Sequence, residues 1–161
     1  MCTGYLADPI EKEFGDGRGW DVEIEYSKEP YPLGTAGAVK LAGSNLRDVS
    51  DFVVMNGDSF LEIDFCQFVL FHRRHRGLVS IATLQVENAS RYGTVQVDAC
   101  GRVIGFSEKM GSNSAGVVSA GVYVFDRAVL EHIRKGPASL ERDVFPQLLG
   151  HGVYALEQRG R

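Results

Sequence analysis

Phe52-Val53-Val54-Met55 is a continuous apolar run that breaks at once into Asn56-Gly57-Asp58. A run of this kind predicts a strand covered on both faces of a mostly parallel sheet. The glycine then lets the backbone turn, and an acid is delivered to the strand's C-terminal end. Ligands of open α/β sheets bind in the crevice outside those strand ends. A carboxylate placed there can hold Mg²⁺, a hard cation that takes oxygen ligands from carboxylates and phosphates. The same carboxylate could simply cap the following turn, and spacing alone leaves both readings open.

The rest of the chain alternates in the same style. Ala7–Phe14 is a short helix, followed by Gly15-Asp16-Gly17-Arg18-Gly19. Val22, Ile24 and Tyr26 alternate with polar residues, the period of a strand with one wet face. Thr35 is placed to cap a helix over 36–42. Asp64 caps a further helix carrying Phe65, Phe68, Val69 and Phe71, which Gly77 closes. Leu78–Val86 reads as a buried strand. Residues 92–97 and 102–106 form a β-hairpin across Asp98-Ala99-Cys100-Gly101. Val117–Phe125 is a long strand, Asp126 caps a helix ending at Gly136-Pro137, and 139–149 is helical in character around Pro146. Strands alternating with helices predict an α/β fold with the hairpin as an insertion. No repeat or linker interrupts it, so residues 1–161 read as one domain. The abrupt opening at Met1-Cys2-Thr3-Gly4-Tyr5, without a leading strand, and the stop at Arg159-Gly160-Arg161 suggest the central part of a longer domain.

Charge narrows the partners. The 161-residue chain has a net charge of −4 and no basic stripe, which argues against nucleic acid and anionic membrane. Its apolar runs are too short to span a bilayer, and no leader peptide is visible. Three widely spaced cysteines, Cys2, Cys66 and Cys100, fit a reduced cytoplasmic protein.

Two further features could carry chemistry. Leu33-Gly34-Thr35-Ala36-Gly37 puts small residues at a helix N-terminus, where a ligand can approach backbone N–H groups. Glu108-Lys109 sets an acid for sugar hydroxyls beside a compact positive charge for a phosphate, though such pairs are common on surfaces. The Gly15–Gly19 segment is not a dinucleotide fingerprint, because it follows a helix and leads into a strand. His72-Arg73-Arg74-His75-Arg76 falls in the last turns of its helix, where cations complement the helix dipole.

Taken in order, these pieces resemble the bacterial sugar-1-phosphate nucleotidyltransferases. The resemblance rests on Pro32-Leu33-Gly34-Thr35-Ala36-Gly37-Ala38, Asn56-Gly57-Asp58, Tyr92-Gly93, Phe106-Ser107-Glu108-Lys109, Ser119-Ala120-Gly121-Val122-Tyr123 and Ser139-Leu140-Glu141-Arg142-Asp143-Val144-Phe145-Pro146. Asn56-Gly57-Asp58-Ser59 with Ile63-Asp64, together with the last of these stretches, is most similar to heptose-1-phosphate and mannose-1-phosphate guanylyltransferases. The resemblance implies a Rossmann-like three-layer α/β/α nucleotidyltransferase fold, with a mostly parallel sheet and an inserted hairpin, here incomplete. It implies Mg²⁺-assisted transfer of a nucleotidyl group, guanylyl by subfamily, from a nucleoside triphosphate to a sugar 1-phosphate.

By position, Asp58 would bind the metal and Lys109 the sugar phosphate, as catalytic residues. Gly34, Thr35 and Gly57 would bind the nucleotide. Tyr92, Gly93, Glu108, Gly121 and Glu141 would line the sugar. The family's opening Gly-rich loop and its second metal acid have no counterpart in these residues. The expectations are therefore little activity from this chain alone and a tendency to pair through an exposed sheet edge as a homo-oligomer. The competing reading is an inactive module that binds sugar phosphate or nucleotide.

Overall fold

The computed structural model describes residues 1–107 and 114–158. In chain order the elements are β1 (Cys2–Thr3), α1 (Ala7–Phe14), β2 (Ser27–Lys28), α2 (Gly34–Ala42), β3 (Asp51–Met55) and α3 (Phe65–His75). They continue as β4 (Val79–Val86), β5 (Thr94–Val97), β6 (Val103–Ser107), β7 (Gly116–Asp126), α4 (Val129–His132), a π-helical turn over Leu140–Val144, α5 (Phe145–Leu148) and β8 (Val153–Glu157). They gather into two compact units, one built from residues 1–49 with 130–144, the other from 50–129 with the chain from Phe145 onward.

In the first unit, β1 pairs in parallel with β2, matching Cys2 to Ser27 and Thr3 to Lys28. The helix expected over Ala7–Phe14 is present, with Asp8 in its first turn and Lys12 in its last, each complementing the helix dipole. The strand expected over 22–26 is not there. Those residues wrap back on the Gly-rich loop instead: Val22 N–H donates to Gly17 O at 3.2 Å, and Ile24 N–H to Asp16 O at 3.0 Å. Tyr26 Oη closes the loop on Gly15 O at 2.7 Å. Alternation that reads as a strand here reflects a loop tied to its neighbour rather than to a sheet.

The second unit is organised around β7. Among the described residues the sheet runs β6-β5-β7-β4-β8, with β3 also on β7. The strand β7 is antiparallel to β3, β4 and β5, whereas β4 and β8 are parallel. The sheet is thus mixed rather than mostly parallel. The chain enters β7 from the β5–β6 hairpin, so it returns against its neighbours.

Side chains on β7 alternate between two covered faces. Val122 and Val124 join Phe68 of α3 and Ala82 in one core. Tyr123 and Phe125 meet Phe145 on the opposite face, with ring centroids 5.2 Å and 6.2 Å away. Two-sided burial explains the near-continuous apolar run of β7. It does not describe β3, where Val53 is 39% and Met55 51% exposed. The hairpin of β5 and β6 lies where the sequence predicts it.

Candidate functional site

The turn after β3 carries Asp58, and β7 supports it from below. Between Ile81 and Thr83 of β4 the register with β7 slips, because β7 passes from Ser119 to Tyr123 over the same span. The extra residues form a β-bulge at Ala120-Gly121. Gly121 sits there with φ 75°, a left-handed conformation that suits glycine. Its carbonyl accepts from Asn56 N–H at 2.9 Å. A Cβ on Gly121 would come within 2.8 Å of both Asn56 Nδ2 and Ser59 Oγ. So the backbone of β7 is the floor on which the Asn56–Ser59 turn rests.

Asp58 is exposed at the top of that turn, with Ser59 Oγ 3.5 Å from its Oδ1, at the outer limit of a hydrogen bond. Gly57 faces open space. The Asp58 carboxylate is a hard oxygen donor of the kind a divalent cation takes. Among the described residues, no group of three or more His, Cys, Asp and Glu converges into a metal cage.

Gly34, Thr35 and Glu141 come together in the other unit. The helix α2 opens at Gly34, at φ 68°, after Leu33, and no side chain caps it. The Ala36 and Gly37 N–H groups both point at Ala138 O, at 2.9 Å and 3.3 Å. A Cβ on Gly34 would lie 2.7 Å from that same carbonyl. The expected cap by Thr35 is replaced by a longer-range role. Its hydroxyl accepts from Leu140 N–H at 2.8 Å and donates to Glu141 Oε2 at 3.3 Å. Glu141 Oε2 accepts from Ser139 Oγ as well, at 2.9 Å. Composition and periodicity contain no trace of this contact, which spans more than a hundred residues of chain.

Tyr92 and Gly93 lie beside the start of β5. Tyr92 is half exposed and lines a recess of about 300 Å³ with Ser90, Thr94, Gln96, Ser107 and Ser114. Among the described residues, the polar side chains lining this recess are uncharged hydroxyls and an amide. Gln96 Nε2 donates to Ser107 Oγ at 3.0 Å along its wall. Glu108 and Lys109, the acid and cation expected for the sugar and its phosphate, lie outside the described residues.

The basic run lies in the last turn of α3, as expected, and three of its residues also have specific partners. Arg73 makes a two-pronged pair with Asp51, at 2.7 Å and 3.0 Å, fastening α3 to β3. The Arg73 guanidinium, by hydrogen bonding, holds the Asp51 carboxyl below the usual carboxylate range. His75 Nδ1 lies 2.9 Å from Phe71 O. His72 is buried and shares a 2.9 Å hydrogen bond between its Nδ1 and Ser80 Oγ. Burial pushes the His72 imidazole pKa down, with Asp51 and Asp126 opposing the shift. The helix terminates at Arg76 in the left-handed conformation, one residue before the expected Gly77.

Residues 1–160 match the family model described as Nucleotidyl transferase, and the chain belongs to that family. It is 38% identical over 153 residues to a mannose-1-phosphate guanylyltransferase of Mycobacterium tuberculosis, covering 94% of this chain and 42% of that protein. It is 34% identical to a mannose-1-phosphate guanylyltransferase catalytic subunit beta of Dictyostelium discoideum, covering 99% of this chain and 43% of the relative. The chain therefore spans less than half the length of these relatives. Among solved structures, HddC from Yersinia pseudotuberculosis in complex with GMP-PN superposes with a TM-score of 0.84 at 26% identity, covering 98% of this chain and 68% of that one. Among the described residues, no helix is long and apolar enough to cross a membrane.

Proposed function

We propose that this chain is part of an enzyme that transfers a guanylyl group from GTP to a sugar 1-phosphate and releases pyrophosphate, in the cytoplasmic synthesis of nucleotide sugars for cell-surface glycans. The observation that carries the reading is Asp58, held in the open at the end of β3 on a turn seated over Gly121. The relatives named for mannose 1-phosphate and the neighbour bound to GMP-PN support the choice of guanine and of mannose 1-phosphate, and a heptose 1-phosphate follows from the resemblance alone.

In this reaction an oxygen of the sugar 1-phosphate attacks the α-phosphorus of the triphosphate. A new phosphorus–oxygen bond forms as the bond to the β-phosphate oxygen breaks, and pyrophosphate departs with that electron pair. Chemistry of this type depends mainly on positioning and charge neutralisation. Mg²⁺, when bound, would supply that neutralisation at the phosphate oxygens, with Asp58 as its protein ligand. Gly34, Thr35 and Gly57 hold the nucleotide. Tyr92, Gly93 and Gly121 border the sugar, Glu108 accepts its hydroxyls, and Lys109 pairs with its phosphate. By the resemblance Glu141 also borders the sugar, although its carboxylate is bonded to Thr35.

Pyrophosphate release by the whole protein, measured over a panel of nucleoside triphosphates and sugar 1-phosphates, tests this reading. Release with GTP and mannose or heptose 1-phosphate that stops when the divalent cation is chelated supports it. Binding of either substrate without release over the whole panel identifies an inactive binding module instead.

A further inference from the structure

We infer that Glu141 is a positioning residue for the nucleotide side of the site, acting through the Thr35 hydroxyl. The inference rests on the reading of Gly34 and Thr35 as nucleotide contacts.

The segment from Leu33 to Gly37 is gripped by Ala138 through its backbone. Ala138 N–H donates to Leu33 O at 2.9 Å, and Ala138 O accepts from Ala36 and Gly37. That exchange fixes one side of the turn and leaves the Thr35 end to be held by side chains. Thr35 Oγ1 has one proton, and it goes to Glu141 Oε2; its lone pair takes the Leu140 N–H. Two hydroxyl donors, from Thr35 and Ser139, converge on Glu141 Oε2. Of the two, the Ser139 bond at 2.9 Å is the closer, while the Thr35 bond at 3.3 Å is long for a hydroxyl on a carboxylate. Thr35 Oγ1 is thus held between Leu140 N–H and Glu141 Oε2, which sets its rotamer beside Gly34.

The segment that presents Glu141 is itself built to stay in place. Ser139 N–H donates to Asp143 Oδ2 at 2.7 Å, while Ser139 Oγ accepts from Arg142 N–H at 3.3 Å. This reciprocal arrangement resembles a capping box with the acid one position further along. It opens the π-helical turn over Leu140–Val144, an uncommon geometry that recurs at functional sites. Ser139, Glu141 and Asp143 thus divide the work, two ordering the turn and the third reaching across to α2.

The test measures binding by isothermal titration calorimetry to the chain and to Glu141→Ala, Thr35→Val, the double variant and Thr35→Ser. GTP, ATP and mannose 1-phosphate are the three probes, and amide NMR shifts of Gly34 and Gly37 are recorded without ligand. Glu141→Ala should weaken GTP about threefold, the worth of one long, exposed hydrogen bond, and shrink the preference for GTP over ATP. Mannose 1-phosphate affinity should fall by less than GTP affinity does. Thr35→Val should do the same, the double variant should lose no more than either single one, and Thr35→Ser should restore the wild-type preference. Weaker mannose 1-phosphate binding with GTP unchanged would overturn the inference and return Glu141 to the sugar. Altered Gly34 and Gly37 shifts with no change in either affinity would overturn it too, leaving a structural clamp. If wild-type chain binds mannose 1-phosphate and no nucleotide, the donor-side reading of Gly34 and Thr35 fails instead.

Discussion

Replacing Gly121 by alanine should strain the Asp58 turn from beneath, and the structure sets the size of the effect. At φ 75° an alanine is left-handed, which costs about 1–2 kcal/mol for a residue with a Cβ. The new methyl would also meet Asn56 Nδ2 and Ser59 Oγ at 2.8 Å. Both atoms end short polar side chains that can swing away, so this contribution falls at the low end of the usual overpacking range of about 1–3 kcal/mol. A total near 2 kcal/mol should lower Tm by roughly 4–8 °C in a chain of this size. Because the yielding atoms belong to the turn itself, Asp58 should move with them. Differential scanning calorimetry reads the first effect, and Mn²⁺ affinity in the presence of GTP reads the second. An unchanged Tm together with an unchanged Mn²⁺ affinity would refute the claim that Gly121 supports this turn.

Other expectations follow from single groups. The folded pKa of His72 is depressed, so its neutral form is favoured on folding. That contribution is present above the ordinary value of about 6.5 and is lost as pH falls through the folded value. Thermal unfolding followed from pH 7 to pH 5 should therefore show Tm falling more steeply for the wild type than for His72→Gln; equal slopes would contradict it. Lys109→Ala should raise KM for the sugar 1-phosphate far more than KM for GTP, since a point charge on phosphate acts in ground and transition states alike. Steady-state kinetics of the whole protein in both substrates would reveal the opposite pattern if the cation serves the nucleotide.

Local signals in the sequence proved readable where a single element decides its own shape. Asp64 caps α3 as its side chain and spacing predict, accepting from Gln67 N–H at 3.0 Å. The β5–β6 hairpin is announced by its turn residues, with Asp98 Oδ1 accepting from both Cys100 and Arg102 N–H. The strand pairing was less legible. An apolar run shows burial but not direction, so β3 looked like a parallel, doubly covered strand although β7 holds that central place. Val22, Ile24 and Tyr26 mimic strand alternation in a loop because period two also suits a segment laid against a turn. The clamp from Glu141 to Thr35 joins residues far apart in sequence, and no local rule reaches that far. A glycine inside the apolar run of β7 was the one available sign of the bulge at Gly121, since such a residue marks close backbone approach.

The central claim is that Asp58, delivered by β3, is the cation-binding carboxylate of a sugar-1-phosphate guanylyltransferase. Its most direct test is formation of GDP-sugar by the whole protein, wild type and Asp58→Asn, across a Mg²⁺ titration. Loss of one metal-binding carboxylate should cost several kcal/mol at the transition state, so turnover by the variant should fall roughly a thousandfold or more at saturating Mg²⁺. Because Asp58 is exposed, Tm should stay within about 1 °C of wild type. Near-normal turnover by folded Asp58→Asn at saturating Mg²⁺ would remove Asp58 from the site and contradict the account.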